Sequence, residues 1–270
     1  MVEETPWQQS LRFANRANPY PFYAELRKTP VARQPDGTYV VSTYREIVQL
    51  LHDPRVSSDV TKRPGATRAG AALEPNIITQ DPPEHDRDRR RMMRHFGPPH
   101  SPRMISDLEP EIRRIVADLL DKMKGKTRID VVDEFAFPLP VTVICKILGV
   151  PLEDIPRFHA WIEAALDGLD LGPEATSEEQ QRLAAKTVES VTEFRQFLAD
   201  LLDQYAKQPS PGMLSAMVHD DGPEGRMSQG SLISNAVLLL FAGHETSVNL
   251  IAHSVLSLLR HPDQLEKLRR

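Results

Sequence analysis

From Pro82 to the end of the chain, apolar residues return every three or four positions, the spacing that lines one face of an α-helix. The pattern predicts helices over Glu84–Phe96, Pro102–Met123, Phe135–Leu148, Glu153–Leu166, Ser177–Lys207, Met213–His219 and Ser228–Arg260. A further helix opens at Pro262 and runs to Arg270, where the chain stops. Many of the 23 prolines stand just before these segments, where a first-turn proline is tolerated and sharpens the boundary. Before Pro82 the pattern changes. A short helix is expected over Pro19–Lys28, with Tyr20, Tyr23 and Leu26 near one face. Between Pro30 and Ser42, Asp36-Gly37 separates two short extended runs, a hairpin signal. Thr43–His52 reads as a helix, with Thr43 as N-cap, Glu46 as its capping-box partner and Asp53-Pro54 as the stop. Arg55–Gln80 has no clean period; a long irregular stretch inside a domain is usually functional or disordered. The fold class is therefore mainly α with a small β-sheet.

Composition adds limits. The 270 residues, 40% hydrophobic and 26% charged, suit a globular chain with a sizeable core. A net charge of −5 lacks the basic excess of a nucleic-acid binder. The most apolar stretch, Ala236–Gly243, is far shorter than the roughly 20 residues of a membrane span. No secretory leader is evident at the N-terminus. Cys145, the only cysteine, excludes an internal disulfide or a multi-cysteine zinc site, so a reducing, cytoplasmic setting is expected.

Two segments carry candidate chemistry. In DPPEHDRDRRRMMRHF, helical spacing puts His85, Arg89, Met92 and Phe96 on one stripe and Arg87, Arg90, Arg91 and Arg94 on the opposite one. His85 and Arg89, four apart beside apolar residues, suit an anion on a mostly apolar molecule. The same pair is also compatible with His85 meeting a local acid while Arg89 lies along the surface. The arginine stripe is either a solvated face or a docking patch for an acidic protein. In the second segment, Gly243-His244-Glu245-Thr246-Ser247 interrupts an apolar helix that should run through the interior. Small residues at Ala242 and Gly243 would let a flat ligand approach the backbone. Thr246 is placed to hydrogen-bond the carbonyl of residue 242, and Glu245 to belong to a proton path. A glycine-kinked core helix whose Glu245 meets a buried arginine fits the same residues.

Together these segments resemble the cytochrome P450 superfamily in its soluble bacterial form. AGHET (Ala242–Thr246) resembles the oxygen-activation motif of that family's central helix, and HDRDR (His85–Arg89) resembles the element that holds the haem propionates. NPYPFYAELR, LHDPRVSSD, DPPEHDRDRR, LPVTVICKILGVP and LLRHPDQLEKLR match in the family's order. The resemblance implies a single P450 domain over residues 1–270, incomplete at its C-terminus. It implies haem b bound by His85, Arg89, Ala242 and Gly243, with the axial cysteine expected beyond residue 270. Thr246 and Glu245, with water, would supply protons for O–O cleavage. A small organic substrate would meet the Arg55–Gln80 loop and the helices around Trp161–Leu171, and a ferredoxin-type donor would dock at Arg87, Arg90, Arg91 and Arg94. The expected activity is monooxygenation. As written, the chain is not expected to give the spectrum of thiolate-ligated haem. The alternatives are a catalytically silent auxiliary protein, for example for a glycosyltransferase, or a non-functional fragment.

Overall fold

The computed structural model describes residues 4–62, 74–96, 103–169 and 177–270. The chain divides into two compact units, residues 1–66 with 163–189, and residues 67–162 with 190–270.

The first unit holds helices α1 (Pro6–Leu11), α2 (Tyr20–Leu26) and α3 (Tyr44–His52), with strands β1 (Val31–Arg33) and β2 (Tyr39–Val41). The strands pair antiparallel in the register Val31–Val41, Ala32–Val40 and Arg33–Tyr39. Their turn is closed by Asp36, whose Oδ1 accepts from the Thr38 amide at 2.9 Å, beside Gly37 at φ 86°. On α2 only Leu26 is buried; Tyr20 and Tyr23 are exposed, so the apolar face expected there is narrower. The capping box expected at Thr43 does not form. Thr43 Oγ1 donates to the Glu46 carboxylate instead of accepting from a backbone amide. A complete box occurs at α1, where the Thr5 hydroxyl accepts from the Gln8 amide and Gln8 Oε1 accepts from the Thr5 amide at 3.0 Å.

The second unit is helical among its described residues: α4 (Glu84–Met93), α5 (Met104–Met123), α6 (Pro138–Leu148), α9 (Met213–Val218), α10 (Gln229–Arg260) and α11 (Pro262–Arg269). It also holds the first half of α7 (Ile155–Leu169) and the second half of α8 (Ser177–Lys207). A π-turn over Val132–Ala136 leads into α6, and α10 packs against both. α6 is apolar on nearly every side and buries Val141, Ile144, Cys145 and Leu148. It ends at Gly149 in the left-handed region, φ 85°, where a Cβ would lie 2.6 Å from the Pro211 carbonyl oxygen. Only glycine meets both conditions. Trp161 is 5% exposed, stacked on Phe194 with ring centroids 4.9 Å apart, and its indole N–H donates to Glu193 at 3.0 Å. It is a core residue. Burial, with a smaller contribution from the charge of Asp154, pushes the Cys145 thiol up to about 12. A thiol kept neutral in this way is a poor nucleophile and a poor metal ligand.

Among the described residues no helix is long and apolar enough to cross a membrane.

Candidate functional site

α4 opens without a side-chain cap and carries Glu84 and Asp86 in its first turn, where carboxylates offset the exposed amides. His85 Nδ1 lies 2.8 Å from Asp86 Oδ1, which places the ring proton on Nδ1 and leaves Nε2 facing outward. The local acid is thus present, and it positions the imidazole without occupying both nitrogens. Arg89 is exposed, and among the described residues its guanidinium makes no hydrogen bond or ion pair.

The arginines across the helix behave differently. Arg91 donates to Asp88 at 2.8 Å and to the Glu224 carbonyl. Arg94 donates to Asp220 at 3.1 Å and pairs with Glu224. Their side chains are only 12% and 16% exposed. This corrects the expected docking stripe: Arg91 and Arg94 are consumed by internal pairing, so their charge is not offered to a partner. Arg87 and Arg90 remain exposed, the latter donating to Glu224 at 3.1 Å. The acids that hold Arg94 lie in the segment leading to α10, more than 120 positions further along the chain. Asp88, 4% exposed, joins the same anchor by accepting from Gln80 and Ser231, both at 3.2 Å.

α10 is capped by Ser228, whose hydroxyl accepts from the Ser231 amide at 3.0 Å. It continues unbroken through Gly243–Thr246, so the polar segment does not interrupt the helix. Its two sides are distinct. Leu240, His244 and Val248, spaced by four, form a buried stripe; Ala242, Thr246, Asn249 and Leu250 form an exposed one. Thr246 Oγ1 donates to the Ala242 carbonyl at 2.9 Å, as the spacing suggested. Glu245 meets no buried arginine among the described residues; its Oε1 accepts from Asn249 Nδ2 at 2.9 Å.

Gly243 does not share the open stripe of Ala242. A Cβ there would lie 2.8 Å from Ile144 Cγ1 on α6, so its missing side chain admits Ile144, not a flat ligand. Gly243→Ala should therefore destabilise by about 1–2 kcal/mol, although alanine is the better helix former by about 1 kcal/mol. Ile144→Val in the same chain should recover part of the loss, as denaturant midpoints of the four variants would read. Equal stability of Gly243→Ala and wild type would show the contact to be slack.

The structure brings α4 against the first turn of α10 through Asp88 and Ser231. Residues 242–246 lie about 17–23 Å further along that axis at about 1.5 Å per residue. Among the described residues no hydrogen bond or ion pair links His85 or Arg89 to them. Residues 63–73 of the expected substrate loop, and residues 170 and 171 beside α7, lie outside the described residues. Of the residues with a part at this site, Asp88 and Asn249 were not singled out from the sequence, and His244 was read only as one of the polar residues Gly243–Ser247, with no role of its own. The only signal for His244 was a polar residue on the stripe set by Leu240 and Val248.

The residues fit haem: among the described residues His85 Nε2 and the Arg89 guanidinium have no partner, so an imidazolium and a guanidinium can both donate to carboxylates, and a small alanine stands beside a hydroxyl on an exposed helix face. The cytochrome P450 family model matches residues 7–270, and the chain belongs to that family. Vitamin D(3) 25-hydroxylase of Pseudonocardia autotrophica is 36% identical, over 92% of this chain and 59% of its own length. 6-Deoxyerythronolide B hydroxylase of Saccharopolyspora erythraea is 35% identical, over 93% of this chain and 63% of its own. The crystal structure of a myxobacterial cytochrome P450 in complex with myristic acid superposes with a TM-score of 0.81 at 31% identity, covering 97% of this chain and 66% of that one. The chain thus spans about 60% of the length of the curated relatives it matches.

Proposed function

We propose that this chain belongs to a haem-thiolate monooxygenase that inserts one oxygen atom of O2 into a small organic substrate. The observation that carries the reading is His85 and Arg89, one helical turn apart on α4: Arg89 has no partner among the described residues, and the protonated imidazole donates through Nε2 while Asp86 holds Nδ1. They would bind the two propionates of haem, and Ala242 would lie beside its face. When bound, haem would supply the activation of dioxygen, held by a cysteine from outside residues 1–270. The chain's own residues handle protons. Thr246 presents a hydroxyl on the open stripe, oriented by the Ala242 carbonyl. Beside it Glu245, fixed at Oε1 by Asn249, exchanges protons with water at its half-exposed carboxylate. A ferredoxin-type electron donor would dock at Arg87 and Arg90, the two arginines of the stripe that stay exposed. The relatives that hydroxylate vitamin D(3) and 6-deoxyerythronolide B support a substrate that is largely apolar. A cytoplasmic location accords with the lone, buried cysteine.

Haem affinity tests the reading in the full-length protein to which this chain corresponds. Wild type should take up haem and, reduced under carbon monoxide, give the spectrum of thiolate-ligated haem. A charge-assisted hydrogen bond contributes about 1.5–3 kcal/mol, so His85→Ala and Arg89→Ala should each raise the haem dissociation constant roughly 10- to 100-fold. Unchanged affinity in both would remove α4 from the haem site.

A further inference from the structure

We propose that His244 is the proton-holding partner of Glu245, a positioning role that rests on the monooxygenase reading and extends it to the buried side of α10. The His244 side chain is 1% exposed. Its Nδ1 lies 2.7 Å from the Leu240 carbonyl, which can only accept, so the ring proton sits on Nδ1 and the lone pair on Nε2. That Nε2 is buried and has no hydrogen-bond partner. An unpaired buried polar atom costs about 1–3 kcal/mol, and a chain that keeps one beside its reactive motif invites a functional reading. The ring edges of Phe137 and Phe241, with centroids 6.0 and 6.3 Å from that of His244, make an apolar wall around it.

Glu245 Oε2 lies 3.7 Å from Nε2, beyond a hydrogen bond yet within a small side-chain rotation of one. Asn249 holds the other carboxylate oxygen, so Oε2 is the one left to turn inward. A proton carried on Oε2 transfers when its O–H bond breaks as N–H forms on Nε2, giving imidazolium and carboxylate; the reverse step returns it. Glu245 thereby keeps a proton in reserve next to Thr246 on a side that water does not reach. The neighbouring elements offer no competing partner among the described residues. On α6, Cys145 is a neutral thiol and Lys146 is paired with Glu111 at 2.7 Å. In the π-turn, Asp133 is exposed and Glu134 is paired with Lys126. On α7, His159 lies against the Phe137 ring, at a centroid distance of 4.3 Å. α9 carries no charged side chain, and Asp263, Glu266, Lys267 and Arg269 of α11 are exposed.

The test is an NMR titration of ring-15N-labelled histidine in the full-length protein, wild type against Glu245→Gln, read without haem and in the diamagnetic reduced, carbon monoxide-bound form. The carboxylate stabilises the imidazolium, so its loss should lower the His244 midpoint relative to wild type. Nδ1 should keep its proton throughout the neutral form. A midpoint that does not move overturns the pairing. In the haem-loaded protein, His244→Phe should remove an inflection from the pH profile of product formed per electron. A uniform loss at every pH would mark His244 as a packing residue and overturn the proposal. A shifted midpoint in a protein that takes up no haem supports the pair and overturns only the monooxygenase reading.

Discussion

Thr246→Ala is expected to leave haem content unchanged while product formed per electron consumed falls about 10- to 100-fold. The hydroxyl sits on the exposed stripe of α10, and its proton is directed at the Ala242 carbonyl 2.9 Å away. This orientation leaves the oxygen lone pairs facing outward, where they can order a water or accept from a reacting group. Positioned proton transfer contributes about 10²–10⁴-fold, and Glu245 remains in the variant, so the expected loss lies toward the lower end. Thr246→Ser keeps the hydroxyl and should recover most of the coupling; Thr246→Val keeps the shape without it and should not. Measuring product against reductant consumed in the three variants separates the hydroxyl from the methyl group. Equal coupling in all of them would remove Thr246 from proton handling.

Arg94→Ala should give the largest loss of stability, about 3 kcal/mol, because it strips the partner from two mostly buried acids. Asp220 and Glu224 are 12% and 17% exposed, and both meet the Arg94 guanidinium. Gly222 makes room for that guanidinium: a Cβ there would overlap it at 2.4 Å from Cζ. Burial pushes both carboxyls up, yet the hydrogen bonds from Arg94, with Gly222 and His95 on Asp220 and Arg90 on Glu224, hold them below their ordinary values of 3.8 and 4.5. Groups depressed in the folded state contribute stability that is complete above those ordinary values and is lost as the pH falls through the lower folded ones. In Arg94→Ala burial is opposed only by the remaining bonds from Gly222, His95 and Arg90, so acid unfolding should begin at higher pH than in wild type. Arg94→Lys keeps the charge without the fork and should fall between. Denaturant midpoints from neutral pH down to acid read both effects; coincident curves would mean that water already screens the cluster.

Local rules carried the helices a long way. Ser177–Lys207 is realised to the residue and α10 begins one position after its expected start, because amphipathic period, caps and prolines act within a few positions of themselves. Caps also misled. Thr43 and Glu46 have the capping-box spacing, but their side chains bond each other; Thr5 and Gln8 form a complete box on a helix too short to stand out by period. The site was legible where it depends on one helix: the Thr246 bond to Ala242 follows from spacing alone. It was hidden where distant segments meet. Nothing near Arg94 announces Asp220, nothing near Gly243 announces Ile144, and the arginine stripe therefore read as surface. The role of His244 was hidden differently: it stood in the polar segment Gly243–Ser247, but nothing local shows that its Nε2 is buried without a hydrogen-bond partner.

Asp88 lies between Gln80 ahead of α4, Arg91 one turn along it, and Ser231 in the first turn of α10. One carboxylate therefore sets the rotation of α4 about its own axis, and with it the bearing of His85 and Arg89 on the same helix. Sequence drift around Gln80 or Ser231 would re-aim those two groups without altering either, much as a loosened hinge pin swings a door whose handle is untouched.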